Sequence, residues 1–161
     1  MSTQNNQAAE SGRGSREAEL TISSDFGQLE RVRAFIRDFC RRAGAGTPGD
    51  DRICDVELAA TEVLTNIIRH AYRGEGRGDI HIRLRLEDGP RLVLTIYDWG
   101  GPFDPARVPP PNFDGSRSGG FGLYIIGQLV DELEFSRDPD GRNRTRLKMN
   151  LAPKNEPQAS E

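Results

Sequence analysis

Residues 50–72 read DDRICDVELAATEVLTNIIRHAY, and this stretch decides the fold. Its apolar residues recur every three or four positions, which is the spacing of the buried face of an amphipathic helix. The members of this stripe are Ile53, Val56, Ala60, Val63, Leu64, Ile67, Ile68 and Ala71. Pro48 and Gly49 break the chain before it, Asp50 supplies a capping acid, and Gly74 follows it. We therefore predict one long helix packed on a core.

A polar column runs along the same helix. Glu62 and Asn66 are four residues apart and Arg69 follows three residues later, so the three side chains share one side of the helix. A carboxylate, an amide and a guanidinium in one column can serve a metal–phosphate group. They can equally form an ordinary solvated helix face, and the helix taken alone favours the solvated face.

The composition bounds the class of protein. The chain has 161 residues, enough for one domain with a core, and a formal net charge of -3 from 22 basic and 25 acidic residues. That balance argues against direct nucleic-acid binding, and no apolar run reaches the ~18 residues of a membrane span. The N-terminus carries no apolar signal segment, and Cys40 and Cys54 fall in predicted helices. We expect a cytoplasmic protein with two buried thiols.

Two further helices and five strands surround the central helix. Helical periodicity marks the helices, and alternation of apolar with polar residues marks the strands. The predicted helices are 26–43 and 123–130, and the predicted strands are 17–23, 79–87, 91–98, 132–136 and 143–151. We expect one folded domain over residues 17–152, a disordered segment over 1–16 and a flexible tail over 153–161.

Charged residues occupy alternate positions on the strands and leave one sheet face wet. Arg83 and Arg85 alternate with aliphatic residues on one strand, and Arg144 and Arg146 do so on the last strand. Helices then cover only the opposite face. We predict an α/β fold, a two-layer sandwich with three helices on one face of a mixed, largely antiparallel sheet.

The strand over 91–98 ends at Asp98, which Gly100 and Gly101 follow closely. A carboxylate at this place can accept a hydrogen bond from an exocyclic amine, and glycines let a flat ring approach the backbone. An ordinary Asp-x-Gly turn has the same sequence, so this motif alone leaves both interpretations open.

The segment Gly119-Gly120-Phe121-Gly122-Leu123 leads directly into a predicted helix. The first N–H groups of a helix have no partner within it and attract phosphate, although flexible glycines before a core helix explain the segment equally well. The preceding residues 99–118 are rich in glycine and proline. A loop of this length is typical of a lid that closes over a ligand.

Taken in order, the segments 62–66, 98–105 and 119–123 resemble the three nucleotide-binding boxes of the GHKL ATPase superfamily, which includes gyrase, histidine kinases and MutL. Within that superfamily the chain is most similar to the anti-sigma factor serine kinases of the RsbW and SpoIIAB type, over about residues 17–151. The resemblance implies the Bergerat, or histidine kinase-like ATPase, fold. Pro102 departs from the broader superfamily, which often has a second glycine there.

The resemblance implies a role for each matching residue. Asn66 would hold Mg²⁺ beside the ATP phosphates, and Glu62 would be the catalytic group that deprotonates or orients a substrate serine hydroxyl. Asp98 would accept the adenine amino group, with Gly100 beside the ring. The remaining cofactor contacts would come from Arg69 at a phosphate, from Gly119, Gly120, Gly122 and Leu123 at the lid and helix start, and from Thr145, or alternatively Asn143, at the adenine.

The same resemblance implies a function. The chain would be an anti-sigma factor and an ATP-dependent serine/threonine-protein kinase. It would phosphorylate an anti-anti-sigma (STAS-domain) protein, sequester a sigma factor in a partner-switching module, and form a homodimer. The alternative is a catalytically silent ATP-binding switch that regulates a sigma factor or another signalling output, and Glu62 is the feature that favours the kinase. No histidine-bearing dimerisation helix precedes the boxes, which argues against a sensor histidine kinase.

Overall fold

The computed structural model describes residues 16–43, 49–74, 77–114 and 120–153. The expected disordered segment and flexible tail therefore lie outside the described residues, apart from Arg16 and Pro153 at their edges. Gly119 of the predicted phosphate segment lies outside them as well.

A five-stranded sheet forms one layer of the domain. The strands are β1 Glu17–Ser23, β2 Asp79–Leu86, β3 Arg91–Asp98, β4 Glu132–Arg137 and β5 Asn143–Asn150, and each was predicted within two residues of these bounds. Their spatial order is β1-β2-β3-β5-β4. All four pairings between the described strands are antiparallel, so the described sheet is purely antiparallel, whereas the sequence predicted a mixed, largely antiparallel sheet.

Three helices form the other layer and cover one face of the sheet, which confirms the predicted two-layer fold. The helices are α1 Leu29–Arg42, α2 Asp50–Asn66 and α3 Phe121–Leu129, and the short 3₁₀ turns are Phe26–Gln28 and Pro105–Arg107. The helix α2 packs against both other helices, and Arg37 of α1 donates two hydrogen bonds of 2.9 and 3.0 Å to the carboxylate of Glu57.

The long central helix changes its winding after Asn66. Residues Ile67–Ala71 form a π-helical turn, in which the N–H of Tyr72 donates to the carbonyl oxygen of Ile67 at 3.1 Å. The chain then leaves the helix through Arg73 and Gly74, whose φ angles are 54° and 71°. Single π turns inside α-helices are frequent at functional sites.

The inward residues of the sheet and the stripe of α2 make one continuous core. Leu84, Leu94 and Leu147 follow one another across β2, β3 and β5 and are almost fully buried. The opposite face is charged as predicted. Its cations pair with acids on the edge strands, as in the contacts Arg83–Glu19 at 2.6 Å and Lys148–Glu132 at 2.7 Å.

The expectation of two buried thiols is wrong for one cysteine. Cys40 is buried in α1, whereas Cys54 is exposed on α2. Ile53 and Val56 turn towards the core, so Cys54 lies on the outer side of the helix, as does Leu58 four residues further on. Among the described residues, no helix is both long and apolar enough to cross a membrane.

Candidate functional site

A cavity of about 270 Å³ lies between the helical layer, the strands β3, β4 and β5, and the loop that follows β3. Its volume is near the lower end of the ~300–1,000 Å³ of small-molecule sites. Most of its wall is apolar, and a few polar side chains converge on it. Its lining residues are Val63, Asn66, Ile67, His70, Ala71, Asp98, Gly101, Pro102, Phe103, Pro105, Leu123, Ile126, Phe135, Ser136, Arg137, Asn143, Arg144 and Thr145.

The end of α2 and the π turn provide one wall. Asn66 and His70 both line the cavity, because residues four apart lie on one side of a helix. Val63 and Ile67 supply apolar surface on the same wall. Arg69 is exposed and is not among the described residues that line the cavity.

The carboxylate of Asp98 lies at the opposite wall, where β3 ends, and only 3% of the residue is exposed. Its Oδ1 accepts hydrogen bonds from the backbone N–H of Gly100 at 3.0 Å and from Nδ2 of Asn143 at 2.8 Å. Burial raises the pKa of Asp98 above its ordinary value, while these two hydrogen bonds and the charge of Arg137 oppose the rise. Asp98 is therefore a buried acceptor that its neighbours help to keep ionised.

The loop after β3 is fastened to the end of the π turn. A Cβ atom on Gly100 would lie 2.4 Å from the Cβ of Ala71, so only glycine permits this approach. The N–H of Gly101 donates to the carbonyl oxygen of Ala71 at 3.1 Å. The hydroxyl of Tyr72 accepts from the N–H of Trp99 at 2.8 Å and donates to the carbonyl of Asp79 at 2.8 Å. These contacts fix the distance between the Asp98 wall and the Asn66 wall.

The start of α3 closes the site beside Glu62. Gly120 caps the helix with a φ of 84° and, being a glycine, has no side chain that could bond to the first N–H groups of α3. A Cβ on Gly122 would lie 3.0 Å from Oε2 of Glu62 and 3.4 Å from Nδ2 of Asn66. The first turn of α3 therefore meets both polar residues of the α2 column, and Leu123 continues into the cavity wall.

Aromatic residues hold the long loop against the site. Phe103 packs on Phe135 of β4 with ring centroids 5.0 Å apart. Further along the loop, Phe113 contacts Phe121 and Tyr124 of α3 edge-on, at 5.9 and 5.5 Å. The described part of this loop, which the sequence predicted as a lid over a ligand, thus lines the cavity and reaches α3.

The structure brings together most of the residues that the sequence singled out. Asn66, Asp98, Leu123 and Thr145 line the cavity. Gly100 approaches Ala71 of the cavity wall, and Glu62 and Gly122 lie beside Asn66. Gly120 caps α3, and the exposed Arg69 does not line the cavity. Sequence reasoning did not select His70, although its spacing of four residues from Asn66 was a usable signal. Arg137 and Arg144 gave no local signal, because only the β4–β5 hairpin brings them to the cavity.

The polar groups near Gly122 fit a hard cation bound together with phosphate. The carboxylate of Glu62 and the amide of Asn66 offer oxygen atoms around one small space. No group of three or more His, Cys, Asp or Glu side chains within the described ranges has the arrangement of a metal site. The protein would thus supply one or two ligands, and phosphate and water would supply the others. Mg²⁺ is usually coordinated in this way in proteins.

The fold and the cavity define a class of protein, a two-layer α/β domain with a cavity between its helices, its sheet and the loop that follows β3. A family model described as the histidine kinase-like ATPase domain matches residues 22–149. The chain belongs to this family, which confirms the resemblance drawn from the three sequence boxes.

Curated relatives place the chain within one branch of the family. A serine-protein kinase RsbW of Staphylococcus aureus is 30% identical over 131 residues, which cover 75% of this chain and 79% of that protein. The RsbW serine-protein kinase of Bacillus velezensis is 32% identical over 92 residues, which cover 52% of this chain and 57% of that protein.

Solved structures share the fold at lower identity. One contains the RsbU and RsbW domains of a Mycobacterium tuberculosis protein, with a TM-score of 0.63 and 18% identity over 87% of this chain and 34% of that one. Another is the SiaB–SiaC complex of Pseudomonas aeruginosa, with a TM-score of 0.54 and 20% identity over 83% of this chain and 90% of the matched one.

Proposed function

We propose that this protein is an ATP-dependent serine/threonine-protein kinase that also acts as an anti-sigma factor. The observation that carries the proposal is one cavity with the buried carboxylate of Asp98 at one wall and Asn66 at the other, with Glu62 beside Asn66 at the start of α3. The relatives named serine-protein kinases support the same activity.

The adenine end of the ligand would lie against Asp98. Oδ1 of Asp98 is engaged by the protein, so its other oxygen is the atom that would accept the exocyclic amine. The buried Thr145 and the backbone at Gly100 would flank the ring. Apolar contacts with Ile67, Leu123 and their neighbours would contribute most of the affinity, at roughly 25 cal/mol per Å² of apolar surface removed from water.

The phosphate end would lie between α2 and α3. Asn66 would ligate Mg²⁺ through its side-chain oxygen, and the bound cation would neutralise charge on the transferring phosphoryl group. The uncapped N–H groups at the start of α3 would donate to phosphate oxygens, together with the glycines 119, 120 and 122. Arg69 would reach a phosphate only from the outer side, since it does not line the cavity.

Glu62 would handle the proton of the acceptor serine. Its carboxylate lies one helical turn before Asn66, so a serine hydroxyl presented to the terminal phosphate would come within its reach. Glu62 would take or orient that hydroxyl proton while the serine oxygen forms its bond to phosphorus and ADP leaves.

Three partners belong to the proposal: a STAS-domain antagonist as phosphate acceptor, a sigma factor, and a second copy of the chain. We place all of them in the cytoplasm. What supports self-association is the uncovered sheet face, where cations of the inner strands β2 and β5 alternate with acids of the edge strands β1 and β4. Such an arrangement can meet its own copy with opposite charges facing each other.

Transfer of ³²P from ATP to STAS-domain proteins of the same genome tests the kinase. We expect Glu62→Ala to lower transfer by about 10²–10⁴-fold, because positioned proton transfer contributes that much, with ATP affinity within about threefold of wild type. Glu62→Gln should behave similarly. Glu30→Ala, which removes an exposed carboxylate on α1, is the matched control and should leave transfer unchanged.

Two outcomes would contradict parts of this proposal. Equal transfer by wild type and Glu62→Ala would remove Glu62 from the chemistry. Tight Mg-ATP binding without transfer to any antagonist would instead favour the silent partner switch, and sigma-factor capture measured with and without ATP would then define its output.

A further inference from the structure

A row of three polar side chains crosses the sheet at the edge of the cavity. Asn143 of β5 lies directly opposite Asp98 of β3 and directly opposite Arg137 of β4. Asp98 and Asn143 are only 3% and 8% exposed. A buried polar pair of this kind must satisfy its hydrogen bonds within the protein or through a ligand.

The chemistry of the neighbours determines how the amide of Asn143 is oriented. Its Nδ2 faces Oδ1 of Asp98 at 2.8 Å and the carbonyl oxygens of Gly101 and Gly100 at 3.1 and 3.3 Å, all of which only accept. Its Oδ1 faces the guanidinium of Arg137 at 3.1 Å, which only donates. With the amide flipped, its oxygen would face the carboxylate oxygen of Asp98 and its NH₂ group would face the N–H groups of Arg137.

Asn143 therefore has no donor left for a ligand. Two N–H bonds of Nδ2 serve three protein acceptors, so the side chain acts on the carboxylate and on the loop rather than on a bound ring. This argues against Asn143 as the direct adenine contact that the sequence left open. The hydroxyl of Thr145 makes no hydrogen bond within the described residues and remains available at the cavity wall.

The two donors to Asp98 select one of its oxygens. Both the Asn143 amide and the Gly100 N–H bond to Oδ1, and no described residue donates to Oδ2. The carboxylate is thus held in one rotamer with a single free acceptor at the cavity. An ionised carboxylate oxygen in that position can accept a hydrogen bond from an amine. A purine ring without the amine cannot form this hydrogen bond.

We propose that Asn143 is a positioning residue that aims Oδ2 of Asp98 into the cavity and thereby sets the preference for a purine that carries an exocyclic amine. This inference rests on the proposed nucleotide-binding function. Burial raises the pKa of Asp98, and the guanidinium of Arg137, held against the same amide, completes the row and opposes that rise.

Equilibrium binding of ATP and of purine riboside 5′-triphosphate, which lacks only the amine, tests the proposal. We expect wild type to prefer ATP by about 10–100-fold, the value of a hydrogen bond to a charged group. Asn143→Ala should reduce this preference to within about threefold, chiefly by lowering the affinity for ATP. Asn150→Ala, the same substitution at the exposed far end of β5, is the matched control and should keep the full preference.

Asn143→Asp separates positioning from folding. Its carboxyl group has the shape of the amide but would repel Asp98 at pH 8, and a proton shared between the two acids at lower pH would restore the donor. We expect its preference for ATP to be small at pH 8 and to rise severalfold by pH 5.5. Wild type should show no such rise, because protonation of Asp98 only weakens the acceptor.

The outcomes are distinguishable. An undiminished preference in Asn143→Ala, or equal losses of both nucleotides with the preference intact, would assign Asn143 a structural role and overturn the inference. Equal binding of both nucleotides by the wild type would show that Asp98 does not recognise the amine, and this would overturn the inference. Wild type that binds neither nucleotide would overturn the proposed function itself.

Discussion

At the scale of single residues, Asp98 carries the proposed specificity because it is a buried carboxylate with one oxygen engaged by the protein. We predict that Asp98→Asn lowers ATP affinity by about 100-fold. The asparagine oxygen would keep the bonds from Gly100 and Asn143, so its amide would turn a donor towards the donor amine of adenine. Calorimetric titration measures the loss. Asp88→Asn, at an exposed turn, is the control that should bind normally.

The same substitution is expected to stabilise the ligand-free protein. Burial raises the folded-state pKa of Asp98 above its usual 3.8, so the folded state holds the proton more tightly than the unfolded state. Stability then falls as pH rises from 3.8 to the raised pKa and stays constant above it. Asp98→Asn does not lose stability in this way, because asparagine does not ionise. Its advantage in free energy of unfolding over wild type, measured by denaturant titration, should therefore grow with pH through that window. An advantage that shrinks as pH rises would contradict the assignment.

At the scale of elements, the approach of α3 to α2 sets the position of Glu62. Gly122→Ala would bring a Cβ within 3.0 Å of Oε2 of Glu62 and displace that carboxylate. We expect phosphate transfer to fall about 10-fold, since small displacements of catalytic groups are costly, with little change in overall stability.

Gly127→Ala is the matched control on the same helix. A Cβ at Gly127 would meet nothing within 4 Å, so this variant gains the helix propensity of alanine without moving a neighbour. We expect it to be about 0.5–1 kcal/mol more stable than wild type, with unchanged transfer. Equal transfer by both alanine variants would show that the contact between Gly122 and Glu62 does not limit the reaction.

At the scale of the whole molecule, one layer of helices shields one side of the sheet, and the two thiols report this asymmetry. Burial raises the pKa of Cys40 to about 12, whereas Cys54 is exposed on the outer side of α2. Because the thiolate is the reactive form, we predict that one equivalent of Ellman's reagent reacts promptly with the folded protein and the second only as it unfolds. Cys54→Ser should abolish the prompt phase. Prompt reaction of both thiols would contradict the packing of α1.

The sequence by itself determined the elements, because periodicity records which side of each helix and strand avoids water. It separated the charged from the apolar sheet face, and its three boxes identified the family. Two features of the central helix needed the tertiary structure. Whether Cys54 is exposed depends on how much of the circumference of α2 the rest of the protein covers. The π turn after Asn66 has no local sign, since its place follows from the contacts of Ala71 and Tyr72 with the loop after β3.

The bond between Asn143 and Asp98 was decided only by tertiary structure, because it joins residues 45 positions apart. Sequence spacing can place two residues on one helix, as it did for Glu62 and Asn66. It cannot set the register between two strands that are separated by a helix and another strand. The β3–β5 pairing sets that register, and with it which oxygen of Asp98 is left for a ligand.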